Sequence, residues 1–373
     1  ALPLAGLVLC ACAVAREAPK PTPVSAEINA LLAPVREKYK LPALAAAVVN
    51  SKGLVAVGAV GVRKRGDPTA VTVDDQFHLG SDTKAMTAAL IAGLVEEGKL
   101  RYDDTLGKAF PKFADKMTPE LRKVTLEQLL THRAGFPHDL KGGWPDIDRE
   151  RPLREQRDEV VARVAPDKPE HEPGKGIHYS NLGYVLAGHM AEGAAGAPWE
   201  ELIQKRLFRP LGMKSAGFGA MGTPGKVDQP WQHLEGGLRM GPSPYSDNPP
   251  VMGPAGTVHC SLPDWARFVA DQLRGARGGR ALLKPEAYKK LHTSPYSDSF
   301  YTAGGWGGKA KDDRAGGLLL EHDGSNRMSF ASAWVAPGRD LAVLVATNQG
   351  GADAAKACHA ARDLLIDKYL KAK

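Results

Sequence analysis

Ser81 and Lys84 stand three residues apart in "LGSDTKAMTAALIAGLVEEG", directly after a glycine and at the head of a long apolar run. On a helix, positions i and i+3 share a face, so the lysine amine reaches the serine hydroxyl. The unpaired N–H groups and dipole of a helix start favour developing negative charge. A lysine removed from water loses part of its preference for the charged form and can take the serine proton, which is the chemistry of acyl transfer. A helix-capping serine followed by a surface lysine fits the same residues. Tyr179 and Asn181, in "HYSNLGYVLAGHM", are two apart, and extended backbone projects such a pair to one side. The phenol suits a proton relay, and the amide suits holding Lys84 or a substrate amide. A packed ring and a helix cap fit equally. His322, Asp323, Gly324 and Ser325 lead into "NRMSFASAWVAP". A glycine on a strand edge admits close approach of a substrate backbone. The Ser325 N–H, with that of Ser81, would supply the two halves of an oxyanion hole. His78-Leu79-Gly80 has the same H-x-G pattern, so this pattern alone discriminates nothing.

The elements that must position these groups are legible from periodicity and punctuation. Residues 27–39 carry Ile28, Leu31, Leu32 and Val35 on one stripe and predict an amphipathic helix. Two β-branched runs flanking Asn50–Gly53 predict a hairpin, and "SFASAWVAP" and "DLAVLVATN" around Gly338–Arg339 predict a second. Helices are expected at Thr83–Glu97, Leu182–Ala195, Trp199–Phe208 and Pro263–Leu273, with a closing helix from Asp353. Strands at both ends with helices between them predict a discontinuous α/β domain carrying a mainly helical insertion. The expected division is an apolar leader at 1–15, a Pro-rich tether at 16–26 and one domain at 27–370. Its α/β part is 27–75 plus 300–370, and its helical part is 76–299. The loop-rich stretches "GAMGTPGKVDQPWQH" and "GPSPYSDNPPVMGPAG" are expected at the substrate rim, and Trp306-Gly307-Gly308 beside the late strands, as pocket lining or as a turn.

Composition excludes several classes. The chain has 373 residues, 43% hydrophobic and 24% charged, which is ordinary for a globular protein. A net charge of +7 is spread along the chain without basic runs interleaved with aromatics, so nucleic acid is not an expected partner. Eleven histidines raise a metal question. Yet His132 and His138, like His171 and His178, flank loops without a third ligand at motif spacing. There is no G-x-S-x-G nucleophile elbow. The uncharged leader "ALPLAGLVLCACAVA" reads as the core of a secretory signal. It offers a signal-peptidase site at Ala13–Ala15 and a lipobox-like "LCAC" in which Cys12 would be lipidated and tether the chain to a membrane. Export to the periplasm or the exterior is the expectation. Cys260 and Cys358 in the body form no disulfide framework; two buried thiols are expected, with a single bond between them as the alternative.

The order S-x-x-K, Y-x-N, H-x-G resembles the serine β-lactamase and penicillin-binding protein superfamily, specifically the class C β-lactamase and D-Ala-D-Ala carboxypeptidase branch (peptidase family S12). The stretches "VTLEQLLTHRAGFP", "RLFRPLGMKSAGFG", "GPAGTVHCSLPDWARF" and "HDGSNRMSFASAWVAPGRDLAVLVATNQG" are similar to members, and the likeness spans roughly residues 27–370. The resemblance implies a β-lactamase/transpeptidase-like fold, with an antiparallel sheet flanked by helices. It implies Ser81 as acylated nucleophile, Lys84 as base, Tyr179 as proton shuttle and Asn181 as the residue orienting Lys84 and the substrate amide. His322 stands where β-lactamases carry the Lys of K-T-G, and Asp323 where they carry Thr. An Asp323 carboxylate in the site would repel anionic β-lactams; one pointing away would not. No cofactor is implied. The implied function is hydrolysis of a β-lactam or D-Ala-D-Ala peptide, with a carboxylesterase and a non-catalytic penicillin- or peptidoglycan-binding sensor as the alternatives.

Overall fold

The computed structural model of the chain describes residues 24–144, 147–297 and 300–371. The expected leader and Cys12 lie outside them. The chain enters through helix α1 (Ala26–Lys38), whose first turn is capped by Ser25 accepting from the Ile28 N–H. Strands β1 (Ala43–Asn50) and β2 (Gly53–Gly61) form the first hairpin. A short strand β3 (Gln76–His78) runs through a 3-10 turn at Gly80–Asp82 into helix α2 (Thr83–Glu96). Helix α3 (Asn181–Ala195), strand β4 (Val258–Ser261) and helix α4 (Leu262–Ala276) belong to the central, mostly helical stretch. Strands β5 (Gly307–Asp312), β6 (Gly317–Ser325), β7 (Phe330–Ala336) and β8 (Leu341–Thr347) follow, and helix α5 (Ala352–Lys371) closes the chain.

Six strands form one antiparallel sheet in the order β2-β1-β8-β7-β6-β5, so strands from the two ends of the chain meet at β1 and β8. The register there pairs Leu44 with Thr347 and Val48 with Val343. Side chains alternate between two cores. Leu44, Val48, Val343 and Val345 pack with Ile28, Leu32 and Leu365 of α1 and α5. Ala45, Ala47, Ala333 and Leu344 pack with Trp265 and Phe268 of α4 and the helical stretch. Cys260 and Cys358 are both free and buried, one in each core on opposite faces of the sheet.

Helix α2 explains its own lack of charge. Eleven of its fourteen residues are buried, so it is apolar all round rather than striped. Thr87 donates to the Pro254 carbonyl and Thr83 accepts from the Val258 N–H, which ties the helix to the segment leading into β4. The expected helix at Trp199–Phe208 splits into an α-helical turn (Trp199–Ile203) and a π-helical turn (Gln204–Phe208). No described helix is long and apolar enough to cross a membrane.

Candidate active site

Ser81 lies in the turn between β3 and α2 rather than serving as a cap, since no side chain caps α2. Gly80 adopts φ +51, a conformation that favours glycine. Its neighbour across the gap is also a glycine, and that matters. A Cβ on Gly324 of β6 would be driven into the Leu79 carbonyl and stand 2.8 Å from the Ser81 nitrogen; one on Gly80 would collide with the Ser325 nitrogen. Glycine against glycine therefore brings the Ser81 and Ser325 amides to one place, the arrangement an oxyanion hole requires. His78 holds the turn from behind: its Nδ1 accepts the Gly80 N–H at 3.0 Å and its Nε2 faces Asp247 Oδ1 at 2.5 Å. Asp247 comes from one of the stretches expected at the rim, and there it is buried.

Lys84 is fully buried. Its Nζ donates to Ser81 Oγ at 3.0 Å, Asn181 Oδ1 at 2.8 Å and the Ala255 carbonyl at 2.8 Å. Burial pulls its pKa down to about 7, against the opposing pull of the Asp139 and Asp82 carboxylates. Tyr179 stacks its ring 4.8 Å from the same Nζ and shares a side-chain hydrogen bond with Ser81. Burial holds the phenol protonated far above its usual range, the Ser81 contact opposing. Asn181 is the first residue of α3, and Ser180 is the cap, accepting from the Gly183 N–H. The Asn181 amide is oriented by its other end, where Nδ2 donates to Asp139 Oδ1 at 3.0 Å. Asp139 also accepts from Trp144 Nε1 at 2.9 Å and pairs with His138 at 2.6 Å. Despite burial, these donors keep its carboxyl below the usual range and hence ionised.

His322 and Asp323 part company across β6. His322 faces Tyr179 and Tyr301, with ring centroids 6.2 Å from each. Its Nδ1 lies 2.8 Å from the Asp323 carbonyl and so carries the proton, leaving Nε2 as a buried acceptor with no partner among the described residues. Burial, then the Lys84 charge, lower its pKa to about 4. It is neutral at pH 7, not the part-time cation that its ordinary pKa implies. Asp323 turns to the other face of the sheet, where its carboxylate meets His359 Nε2 of α5 at 2.8 Å. Beside Tyr179 and His322 opens a cavity of about 330 Å³. It passes Tyr301 and Gly307 at the start of β5 and reaches Asp323, His359 and Arg362.

Ser81, Lys84, Tyr179, Asn181, His322, Gly324 and Ser325 thus converge from three segments of the chain. Asp139, the Ala255 carbonyl and Tyr301 were not legible in the sequence. Asp139 follows a stretch that resembles the family, but nothing in its spacing marks it, and a backbone carbonyl leaves no trace in residue types. The paired histidines do not build a metal cluster: His171 and His178 stack at 3.4 Å, and no described group of three or more His, Cys, Asp or Glu is placed to hold an ion.

The chain matches the family model described as Beta-lactamase over residues 28–366. It is 31% identical over 327 residues to penicillin-binding protein 4 of Amycolatopsis lactamdurans, covering 85% of this chain and 83% of that protein. Over 162 residues it is 30% identical to the D-alanyl-D-alanine-carboxypeptidase/endopeptidase AmpH of Escherichia coli (strain K12), 41% of this chain and 40% of that protein. Among solved structures, the octameric penicillin-binding protein homologue from Pyrococcus abyssi superposes with a TM-score of 0.72 at 24% identity, over 91% of this chain and 77% of that one. The D-alanine carboxypeptidase AmpC from Burkholderia cenocepacia does so with 0.71 at 20% identity, over 90% and 97%. These two share the fold. With the family model spanning nearly the whole described chain, the protein belongs to the beta-lactamase family, within the serine β-lactamase and penicillin-binding protein superfamily.

Proposed function

We propose that the chain is an exported serine hydrolase that cleaves an amide or β-lactam bond through an acyl-enzyme on Ser81. The observation that carries the reading is the buried Lys84 amine, 3.0 Å from Ser81 Oγ, with a pKa brought to about 7. The neutral amine accepts the Ser81 proton as Oγ bonds to the substrate carbonyl carbon, and the carbonyl oxygen takes the negative charge between the Ser81 and Ser325 N–H groups. As the carbonyl reforms, the bond to the leaving nitrogen breaks. Tyr179 delivers a proton to that nitrogen and is reprotonated from Lys84. Water then adds to the acyl carbon by the same relay in reverse, and the acid departs. Asn181, fixed by Asp139, orients Lys84. The cavity beside Tyr179 and His322 lies where the leaving half of the substrate would sit.

Neutral His322 favours a second reading. It cannot offer the fixed positive charge of a K-T-G lysine, so an ester without a carboxylate suits the inner site as well, which is a carboxylesterase. Asp323 lines the far end of the same cavity, but its carboxylate is paired there with His359 of α5. It is therefore away from the acylation centre at Ser81 and bears on the leaving half of a substrate rather than on the acyl half. A panel of benzylpenicillin, a diacylated D-Ala-D-Ala peptide and a 4-nitrophenyl ester, each with Ser81→Ala alongside, separates the readings by kcat/KM. Hydrolysis of the ester alone would move the function to an esterase. Turnover of all three by Ser81→Ala would reject the mechanism. Export is part of the proposal, either by cleavage after Ala15 or with lipidation of Cys12, and it is supported by the composition of residues 1–15. The mass of the N-terminal peptide of the secreted protein tests them.

Gly324→Ala gives a further expected outcome. Its Cβ must push β6 away from the Ser81 turn, so kcat/KM should fall at least tenfold with a loss of about 1–3 kcal/mol in stability. Activity assays and thermal melts on one preparation check it.

A further inference from the structure

Tyr179 has a task that irregular backbone performs badly. It must hold its hydroxyl against Ser81, yet it sits at the end of a stretch, 166–180, that has no regular secondary structure. Loops on their own are mobile. The segment beneath it supplies what is missing. Residues 132–138 act as a template onto which the loop is stitched. The His171 N–H donates to the Gly135 carbonyl, the Gly174 N–H to the Arg133 carbonyl, and the Asn181 N–H to the His138 carbonyl. Ser180 Oγ donates to the Pro137 carbonyl.

At the centre of the template is His132. The two amides that flank Tyr179 both end on it: the His178 N–H donates to its carbonyl at 2.8 Å, and the Ser180 N–H to its Nδ1 at 3.0 Å. Its ring stacks on the Tyr179 ring at 4.3 Å and 29°. Its edge contact with Tyr301, at 4.7 Å and 80°, closes the other side. His132 is 1% exposed and adopts φ +57, a left-handed conformation that residues other than glycine hold only at a cost. Such strain persists where the surroundings over-determine it and gathers at functional sites. Because Nδ1 accepts from an amide, the ring proton is on Nε2, which is buried without a hydrogen-bond partner among the described residues. Protonation would place a hydrogen on Nδ1 and break the Ser180 bond. Burial disfavours that state first, and the charged or ionisable groups around it, Lys84, His322 and His138, add to this.

We propose that His132 is the positioning residue of Tyr179, holding the phenol in line with Ser81 by a clamp on both neighbouring amides and a stacked ring, and thereby governing proton delivery to the leaving group. The inference rests on the proton relay proposed above and adds the residue that aims it. His132 touches neither substrate nor the reacting atoms.

The test reads leaving-group dependence, which a merely structural role would not move. Two esters of one acyl group are compared: a 4-nitrophenyl ester, whose leaving group departs without a proton, and an alkyl ester, whose leaving group needs one. Tyr179→Phe sets the reference and should lose at least tenfold more kcat on the alkyl ester than on the nitrophenyl ester. His132→Phe keeps a stacked ring but removes the acceptor for the Ser180 N–H, and should show the same bias. His132→Asn offers an oxygen near the place of Nδ1 and tolerates the left-handed backbone, so it should recover part of the alkyl-ester rate. The double variant His132→Phe/Tyr179→Phe should be no slower on the alkyl ester than Tyr179→Phe alone. Equal losses on both esters, or additive losses in the double variant, would overturn the proposal. Should His132→Phe not fold, the ester ratio of His132→Asn decides: a ratio unchanged from wild type overturns it. If Tyr179→Phe itself shows no bias, the proton relay fails and this inference with it. If Tyr179→Phe shows the bias and the His132 variants do not, this inference alone fails.

Discussion

Ser81→Ala should lower kcat/KM by about 10⁴- to 10⁶-fold, the scale on which loss of a nucleophile is felt in serine hydrolases. The structure makes this a sharp experiment. Ser81 is in a turn whose conformation is set by Gly80 and by the His78 bond to the Gly80 N–H, not by its own side chain. The hydroxyl neither caps α2 nor supports the core. Its removal takes one acceptor from Lys84, which keeps Asn181 Oδ1 and the Ala255 carbonyl. Activity should therefore collapse while the thermal midpoint moves by only a few degrees. A variant that retained a tenth of the wild-type rate would remove Ser81 from the chemistry.

The second large effect belongs to Lys84. Lys84→Ala should cost about 10²- to 10⁴-fold in the acylation rate, the usual worth of a positioned general base. Lys84→Arg should do no better, because a guanidinium stays charged and cannot accept the Ser81 proton. In the wild type the neutral amine is the active form. The acylation rate should climb about tenfold per pH unit below about 7 and level off above it, with Tyr179 still protonated across that range. Stability carries a matching sign. The folded-state pKa lies below a lysine's ordinary value of 10.5, so between about 7 and 10.5 the unfolded chain binds the extra proton and stability rises with pH. Lys84→Met lacks this dependence. Its melting temperature, taken relative to wild type, should therefore be higher at pH 7 than at pH 10. A rate that keeps climbing about tenfold per unit up to pH 9, together with an unchanged difference in melting temperature, would show that Lys84 keeps an ordinary pKa. A flat profile between pH 5 and 9 would show that its neutral amine is not the base.

The sequence carried much of this site for physical reasons that can be named. A lysine at i+3 from a serine is a local helical relation, so Ser81 and Lys84 were legible together. The unbroken apolar character of α2 followed from burial on every side. The two hairpins were legible because their β-branched runs alternate around turn residues, and β1 and β8 do pair as the two ends of one sheet. What the sequence could not give was long-range and often backbone-borne. The Ala255 carbonyl on Lys84, the glycine-to-glycine contact of Gly80 with β6, and the stitching of the 171–181 loop to 132–138 depend on packing between distant segments. Orientation was equally hidden. Neighbours on a strand face opposite ways, but which of His322 and Asp323 enters the site depends on the register of β6 with β7, which pairs Ala333 with His322. His132 and His138 were weighed as metal ligands from their residue type, whereas the fold uses one as a neutral clamp and the other as the partner of Asp139.

The central claim is a covalent acyl group on Ser81. The measurement that meets it most directly is the intact mass of the purified protein at intervals after mixing with benzylpenicillin, with Ser81→Ala as control. The account predicts an adduct of the mass of the drug on the wild type and none on the variant. A lasting adduct would mark a peptidase that deacylates slowly; one that clears as hydrolysed drug accumulates would mark a β-lactamase. An adduct that forms equally on both proteins would contradict the account.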